Sequence, residues 1–518
     1  MKKIILSLSL LFGIATQGQT FEWLKVPEIP AGINLQNTAY ISASDPEGNI
    51  YLTGFKDSPV LLNDIMGNLY YTKYSSGGDV IFSKTFTGKC AAYNMVSDAQ
   101  GNIILALAYT ENMTIDDTDF SILGDEIKHV LVKMDSNGNL LWFKELHIDA
   151  FDLGYVQDFR AIAIDAEDNI YAGYDNYMYS YITKYSPLGI ELLTIEQQNA
   201  NRLTSTAVDT EGNIYAAGAC ASINAKYGGT EAPTDLQYNT YLVKYSPQGN
   251  FQWIKYVEDI TCPEPHVVVR TPDEIYFSSY LFTSNNFDNI EIEGPAGGFE
   301  DIFIAKLNSE GTYQWVKEAL GSGKANPGSR NFLNLDSEGN LYFTGNTAGT
   351  VNWGNDITTS TNSFSSDALI VKYNSDGDVL FAKTAGGDSE DRMDGITISS
   401  EGNIFVTGVG YGNGTFDNIE HEGEEFTSYP FFAKITMEIL GFNDHEAKEI
   451  TVYPNPASSG IILTGIENNK SIEIVNSLGQ TVKNLTGITS EIIDISDLSS
   501  GIYYIKSDKF KSKKFIKK

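Results

Sequence analysis

Residues Asp45–Gly54 read "DPEGNIYLTG", and the chain repeats that phrase. It returns as "DAQGNIILAL" from Asp98, "DAEDNIYAGY" from Asp165 and "DTEGNIYAAG" from Asp209. Further copies are "RTPDEIYFSS" from Arg270, "DSEGNLYFTG" from Asp336 and "SSEGNIFVTG" from Ser399. The residues before each Asp alternate apolar and polar, as in the "AIAID" that ends at Asp165, and "IYxxG" alternates again afterwards. Between them a Gly-Asn pair supplies the positive φ angles that a tight reversal needs. Each copy predicts an antiparallel hairpin.

A second phrase follows each first one: "YTKYSSGG" (Lys73), "LVKMDSNG" (Lys133), "ITKYSPLG" (Lys184), "LVKYSPQG" (Lys244), "IAKLNSEG" (Lys306), "IVKYNSDG" (Lys372) and a truncated "FAKITMEI" (Lys434). It also reads strand, Gly turn, strand, so each repeat holds four antiparallel strands. Four-stranded repeats of about 40–50 residues predict propeller blades. Most repeats close on an aromatic-x-Lys strand: "IFSK" (Lys84), "LWFK" (Lys144), "QWIK" (Lys255), "QWVK" (Lys317) and "LFAK" (Lys383). The third has a degenerate "ELLTIE" and the seventh has none. The missing piece stands at the front of the chain, in "FEWLKV" (Phe21–Val26), with Trp23 and Lys25. The expected fold is all-β: a seven-bladed β-propeller closed by the N-terminal strand, with no sheet edge left open. Of the 18 lysines between residues 19 and 446, thirteen fill the two repeating positions. Such regularity points to a scaffold role, with charges on blade edges pairing with an acidic surface.

The phrases "Asp-x-x-Gly-Asn-Ile-Tyr-x-x-Gly", "Ile-x-Lys-Tyr" and "Trp-x-Lys", with "AGGDSEDR" around Gly386, resemble bacterial β-propeller repeats of the SBBP type over residues 21 to 440. The resemblance implies the fold and carries no activity. From Glu449 the composition changes to short alternating strands, which predict a small immunoglobulin-like β-sandwich. Its residues Tyr453, Pro454, Asn455 and Pro456, then "NSLGQTV" with Gly479, then "DLSSGIYYIK" with Gly501, resemble the type A sorting domain of the type IX secretion system of Bacteroidetes. That resemblance implies passage through the periplasm, interaction with the secretion machinery, and release or attachment at the outer-membrane surface.

Residues 1–18 read as a signal peptide, with Lys2 and Lys3 before an apolar run too short to span a bilayer. The expected organisation is signal peptide 1–18, propeller 19–440, linker 441–448 and sorting domain 449–518. Three cysteines (Cys90, Cys220, Cys262) allow at most one disulfide. The net charge is −32, although Ala447–Lys518 holds ten Lys against seven acids. So acidic a body repels nucleic acid and anionic membranes, and neither partner is expected. A monomer without a membrane span is expected.

Gly-Asn turns and "YSxxG" turns would share one face of the disc, leaving the long connections on the other. Two of these are "GTFDNIEHEGEEFTSYP" (Gly414–Pro430) and "NFDNIEIEGPAGGFED" (Asn286–Asp301). Variable loops on a rigid frame are where binding is usually found. Four of the five arginines, Arg160, Arg202, Arg330 and Arg392, stand just before the first strands of their blades, which places them at the channel mouth. They are candidates for recognising a carboxylate, sulfate or acidic sugar through forked bonds. The alternative is pairing between blades, with Asp158, Asp388 or Asp391. The five histidines show no ligand spacing and no serine stands in a nucleophile elbow, so no catalytic residue, metal site or cofactor is assigned. "DSNGN" (Asp135–Asn139) and "NSDGD" (Asn374–Asp378) lack the downstream Glu of a calcium loop and read as ordinary turns. The expected function is non-enzymatic: a secreted or surface-displayed propeller that binds a glycan or protein. The rival is a glycoside hydrolase or lyase acting in the channel, which would need two carboxylates converging there.

Overall fold

A computed structural model of the chain describes residues 18–27, 41–55, 67–122, 126–148, 155–258, 264–295, 301–362, 365–424, 427–438, 451–464, 472–476, 481–485, 492–507 and 510–518. Residues 1–17 of the expected signal peptide, the expected linker 441–448, Cys262 and Gly479 lie outside the described residues. Thr20–Thr436 forms one compact unit, and the residues from Met437 onward belong to another.

The repeat phrase has a physical meaning in its Asp. Asp45 Oδ1 accepts the backbone N–H groups of Glu47 and Asn49, at 3.1 and 2.9 Å, while Asn49 Nδ2 donates to Asp45 Oδ2 at 2.9 Å. Gly48 completes the reversal at φ +80°. The same carboxylate takes the Lys of the second phrase: Lys73–Asp45 3.0 Å, Lys133–Asp98 2.8 Å, Lys184–Asp165 3.0 Å and Lys372–Asp336 3.0 Å. The phrase's Tyr lies beneath the ammonium, from 4.8 Å (Lys372 over Tyr342) to 5.6 Å (Lys306 over Tyr276). These lysines differ from the expectation of charges on blade edges. Lys73, Lys133, Lys244, Lys372 and Lys434 are buried, and in Lys73, Lys133 and Lys372 the turn carboxylate supplies a partner out of water.

Four strands per repeat follow. The fourth repeat is a sheet of Arg202–Val208, Ile214–Cys220, Asn239–Tyr245 and Phe251–Glu258, in that order and antiparallel throughout. The fifth is His266–Val269, Ile275–Leu281, Asp301–Leu307 and Tyr313–Glu318. The degenerate third closer still forms a strand, Glu191–Gln198, beside Tyr179–Tyr185. In the sixth the first strand is broken, and Lys324–Pro327 and Leu333–Leu335 both pair with Leu341–Ala348. The first two repeats share the long strand Val80–Ser97, one part pairing with Gly67–Tyr74 and the other with Ile103–Ile115. In the last sheet the order is Gly18–Lys25, Ser428–Glu438, Ile404–Tyr411, Arg392–Ile398. Here Ser399 stands where five of the other repeats have Asp, and Lys434 pairs instead with Glu22 of the N-terminal strand at 2.9 Å.

Successive sheets interlock through one recurrent contact. Lys133 Nζ and Trp142 Nε1 both donate to the Pro187 carbonyl in the next repeat's turn, at 3.2 and 3.1 Å. Lys244 and Trp253 share the Ser309 carbonyl, at 3.1 and 2.9 Å, and Lys306 and Trp315 share that of Ser375, at 2.9 and 3.2 Å. The first strands touch inside: Ser205 Oγ donates to the Val267 carbonyl at 3.3 Å. The result is a propeller-like β structure.

The C-terminal unit has a three-stranded sheet (Gly460–Thr464 between Thr451–Tyr453 and Ile493–Asp494) and a four-stranded one. The second runs Thr481–Leu485, Ile472–Asn476, Gly501–Ser507, Phe510–Lys517. Ile461, Ile474, Ile495, Ile505 and Phe515 are fully buried in a shared core. Asn455 ties the motif to the last strand, accepting from Ile516 N at 2.9 Å and donating to the Lys514 carbonyl at 3.1 Å.

Candidate functional site

Each first strand begins at the same end of its sheet, opposite the Gly-Asn turn, so residues at strand starts gather there. Arg160 lies on Asp158–Ile164, and Arg202 and Arg392 open their strands. Arg330 sits in the break of the sixth first strand, where Arg330 N donates to the Asp394 carbonyl at 2.9 Å.

The four guanidiniums are in unlike states. Arg160 Nε donates to Asp158 at 2.9 Å and its Nη1 to Glu264 at 2.6 Å. Burial alone would lower its pKa, but the Asp158 and Glu264 carboxylates reverse the balance and raise it. Arg392 Nε donates to Asp394 at 2.8 Å, and Ser329 Oγ donates to the same oxygen at 2.7 Å. Arg202 reaches Asp158 only at 3.9 Å, and its Nε is buried without a partner. Arg330 makes no ion pair among the described residues. Its Nε is buried and unpartnered, and its guanidinium lies 5.8 Å from the Tyr93 ring centroid. Burial lowers its pKa and the charge of Arg160 lowers it further.

Pairing with Asp158 was anticipated in the sequence, whereas Asp391 is turned to the backbone, accepting from Gly387 N at 2.8 Å and Tyr411 N at 3.0 Å. Glu264, Tyr93 and His266 were missed: each stands outside the repeat phrases, and only the folded chain sets them beside Arg160 and Arg330 around one cavity of about 20 Å³. Burial lowers the His266 pKa to about 4, so the ring is neutral at pH 7.

His266 and Asn331 also line a larger cavity, of about 530 Å³, walled by first strands or their flanking residues from the second to the seventh repeat. Its walls are Ile162, Ala163, Ser205, Thr206, Val267 and similar side chains, and Asp336, its one lining carboxylate among the described residues, is paired with Lys372. Asn331 Nδ2 donates to Asn94 Oδ1 at 2.7 Å, joining the second repeat to the sixth at the arginine end. Asp135 and Asn374 satisfy their own turns, Asp135 Oδ1 accepting from Asn137 N and Asn139 N at 2.9 and 2.8 Å. Among the described residues no group of three or more His, Cys, Asp or Glu is set to hold a metal.

The two long connections singled out in the sequence contain regular structure among their described residues. Asn285–Phe287 with Ile290–Ile292, and Gly414–Phe416 with Ile419–His421, form small hairpins. Their tip aspartates are spent on the outer strands. Asp288 holds Lys255 at 2.7 Å, and Asp417 holds Lys383 at 2.5 Å and Phe21 N at 2.8 Å. The third repeat's connection is much shorter and also carries exposed side chains. Ile170–Asp175 and Tyr179–Tyr185 are joined by Asn176, Tyr177 and Met178 alone, while corresponding links span 221–238, 282–300 and 349–366. Tyr177 is 43 % exposed at φ +68°, a conformation costly for an aromatic residue, and its N–H is held by Asp175 at 3.1 Å.

Residues 451–518 match the family described as "Secretion system C-terminal sorting domain". This type IX sorting module takes the protein across the outer membrane, to the surface or the medium. Among solved structures, a protein of unknown function from Dyadobacter fermentans is similar, at 10% identity over 81% of this chain and 99% of that one, with a TM-score of 0.38. The Neurospora crassa Pan2 WD40 domain is similar at 8% identity over 81% and 96%, with a TM-score of 0.39. A protein of unknown function from Bacteroides caccae gives 11% over 55% and 82%, with a TM-score of 0.32. No curated protein matches the sequence.

Proposed function

We propose that this protein is an extracellular binding protein. Residues 19–440 form a seven-bladed propeller closed by the N-terminal strand, delivered by the sorting domain 449–518 after removal of the signal peptide 1–18. Closure is supported by the place of Gly18–Lys25 at the edge of the last sheet. It is supported again by the bond between Ser42 and Thr397, 2.9 Å from first repeat to last. The ligand, a glycan or a protein, sits at the arginine end around Arg160, Arg202, Arg330 and Arg392.

The observation that carries a binding role over catalysis is the lining of the large cavity, where His266, Arg270, amide, hydroxyl and apolar side chains surround a single carboxylate, Asp336, and no pair of free carboxylates comes together among the described residues. The test is an array of polysaccharides, oligosaccharides and extracellular proteins probed with the exported protein, followed by product analysis of each hit. Binding without turnover supports the reading, and released products overturn it.

A further inference from the structure

In a chain of net charge −32, a half-buried guanidinium has carboxylates to choose from, and Arg330 has taken none among the described residues. Its neighbours show that the choice was available. Asp158 and Glu264 hold Arg160, and Asp394, whose own backbone carbonyl accepts from Arg330 N, gives its side chain to Arg392. Leaving a desolvated cation unpaired costs stability unless something from outside completes it. The buried, unbonded Nε of Arg330 marks the same vacancy in hydrogen bonding.

A chain of contacts links Arg330 to Tyr177. Arg330 and Arg160 line the same small cavity; Arg160 shares Asp158 with Arg202; Asn201, next in sequence, donates to the Tyr177 carbonyl at 2.9 Å. Tyr177 and Met178 stand exposed in the third repeat's short connection. Asp158, Glu264 and Asp394 offset three of the four arginine charges. One anionic group is therefore accommodated and a run of them is not.

We infer that this end of the molecule binds a sugar chain carrying a single uronic acid, its carboxylate taken by Arg330 and a neutral ring of the same chain lying on Tyr177. The planar guanidinium and carboxylate match in a forked pair, and the tyrosine offers an apolar face to pyranose C–H groups. This inference rests on the binding function proposed above.

The test is titration calorimetry of the full exported chain with xylotriose bearing one glucuronic acid, its methyl ester, unsubstituted xylotriose, and a tetrapeptide with a free C-terminal carboxylate. The acidic oligosaccharide is expected to bind about tenfold or more tightly than its ester or the neutral parent, as loss of one charge-assisted pair requires. Arg330→Gln is expected to abolish that preference, Arg330→Lys to retain part of it, and Tyr177→Ala to weaken acid and ester alike. Without ligand, Arg330→Gln should melt at or above the parent, because it removes an uncompensated charge and no ion pair, and Arg330→Lys should melt close to the parent. Equal binding of acid and ester, or an acid preference that survives Arg330→Gln, overturns the inference and leaves the binding function standing. So does binding of neutral glycans or of the peptide alone. Failure of every glycan and protein to bind overturns both.

Discussion

Trp23 lies against Gly78. A Cβ on that glycine, which sits at φ +88°, would come 3.1 Å from the indole Cε2 and 2.8 Å from Lys25 Cε. The same relationship recurs where Trp142 covers Gly189, Trp253 covers Gly311 and Trp315 covers Gly377. Each is a closing tryptophan on the turn of the next repeat, and Trp23 makes the contact from the last sheet to the first. Trp23→Ala is therefore expected to destabilise the protein by about 2–4 kcal/mol, as Trp253→Ala should. Denaturant unfolding checks it, and a Trp23 cost far below that of Trp253 would contradict closure of the ring.

Gly138 and Gly402 separate two causes of a glycine requirement. Both have positive φ, +77° and +82°, but a Cβ at Gly138 meets Phe82 at 2.8 Å while one at Gly402 meets nothing within 4 Å. Gly402→Ala should cost about 1–2 kcal/mol from backbone conformation alone. Gly138→Ala should cost a further 1–3 kcal/mol or so from overpacking. Equal losses in urea unfolding would show that the aromatic yields freely.

Lys133 and Asp98 are almost wholly buried 2.8 Å apart. Lys133→Met or Asp98→Asn alone leaves one charge stranded and should cost about 3–5 kcal/mol. The double variant should cost less than the two single losses added, with a coupling of about 1 kcal/mol or more. Additive losses would mean that the pair acts through water.

Stability should have a maximum in pH. Burial alone would raise the carboxyls of Asp98, Asp165 and Asp336, but bonds led by Lys133, Asn169 and Asn340 hold all three below the ordinary range. A depressed native pKa gives stability above the unfolded value that is lost as pH falls through the native one. Asp301 and Asp391 are pushed by burial up to about 7. They favour the folded state while protonated, and that contribution is lost as pH rises from about 4 to about 7. Melting temperature should peak in mildly acidic buffer and decline on both sides. A steady rise to pH 8 would contradict the assignment.

Asn455 bonds Lys514 and Ile516 on the final strand. Asn455→Ala should loosen that strand and shift part of the protein from medium or cell surface to periplasm, and deletion of 451–518 should shift all of it. Cell fractionation reads the outcome. Unchanged export without residues 451–518 would exclude the module as the address.

The repeat was legible because Asp45, Gly48 and Asn49 build a turn from neighbours in sequence, and local chemistry survives in a string of letters. The lysines at the second phrase were legible as scaffold but not as buried. Their partner Asp lies across two strands, and only registry brings Lys73 to Asp45. The arginines were legible as a set through their common place before first strands. That Arg330 stays without an ion pair among the described residues while Arg160 does not depends on Glu264, which stands 104 residues beyond Arg160. The hairpins tipped by Asp288 and Asp417 were legible only as long connections, because the lysines that fasten them belong to other strands. Tyr177 left a trace in "YDNYMYSY", where two strands leave three residues between them.

The last sheet takes its outer strand from the start of the polypeptide and the other three from Arg392 onward. Lys25 and Arg392 stand 367 residues apart (392 − 25), so the early strand is made long before the neighbours it needs. Loop closure over so long a separation is slow, and a long-range pairing of this kind comes late. A polypeptide halted before Ser428 has Phe405 but lacks Phe432, the other ring against which the indole of Trp23 packs.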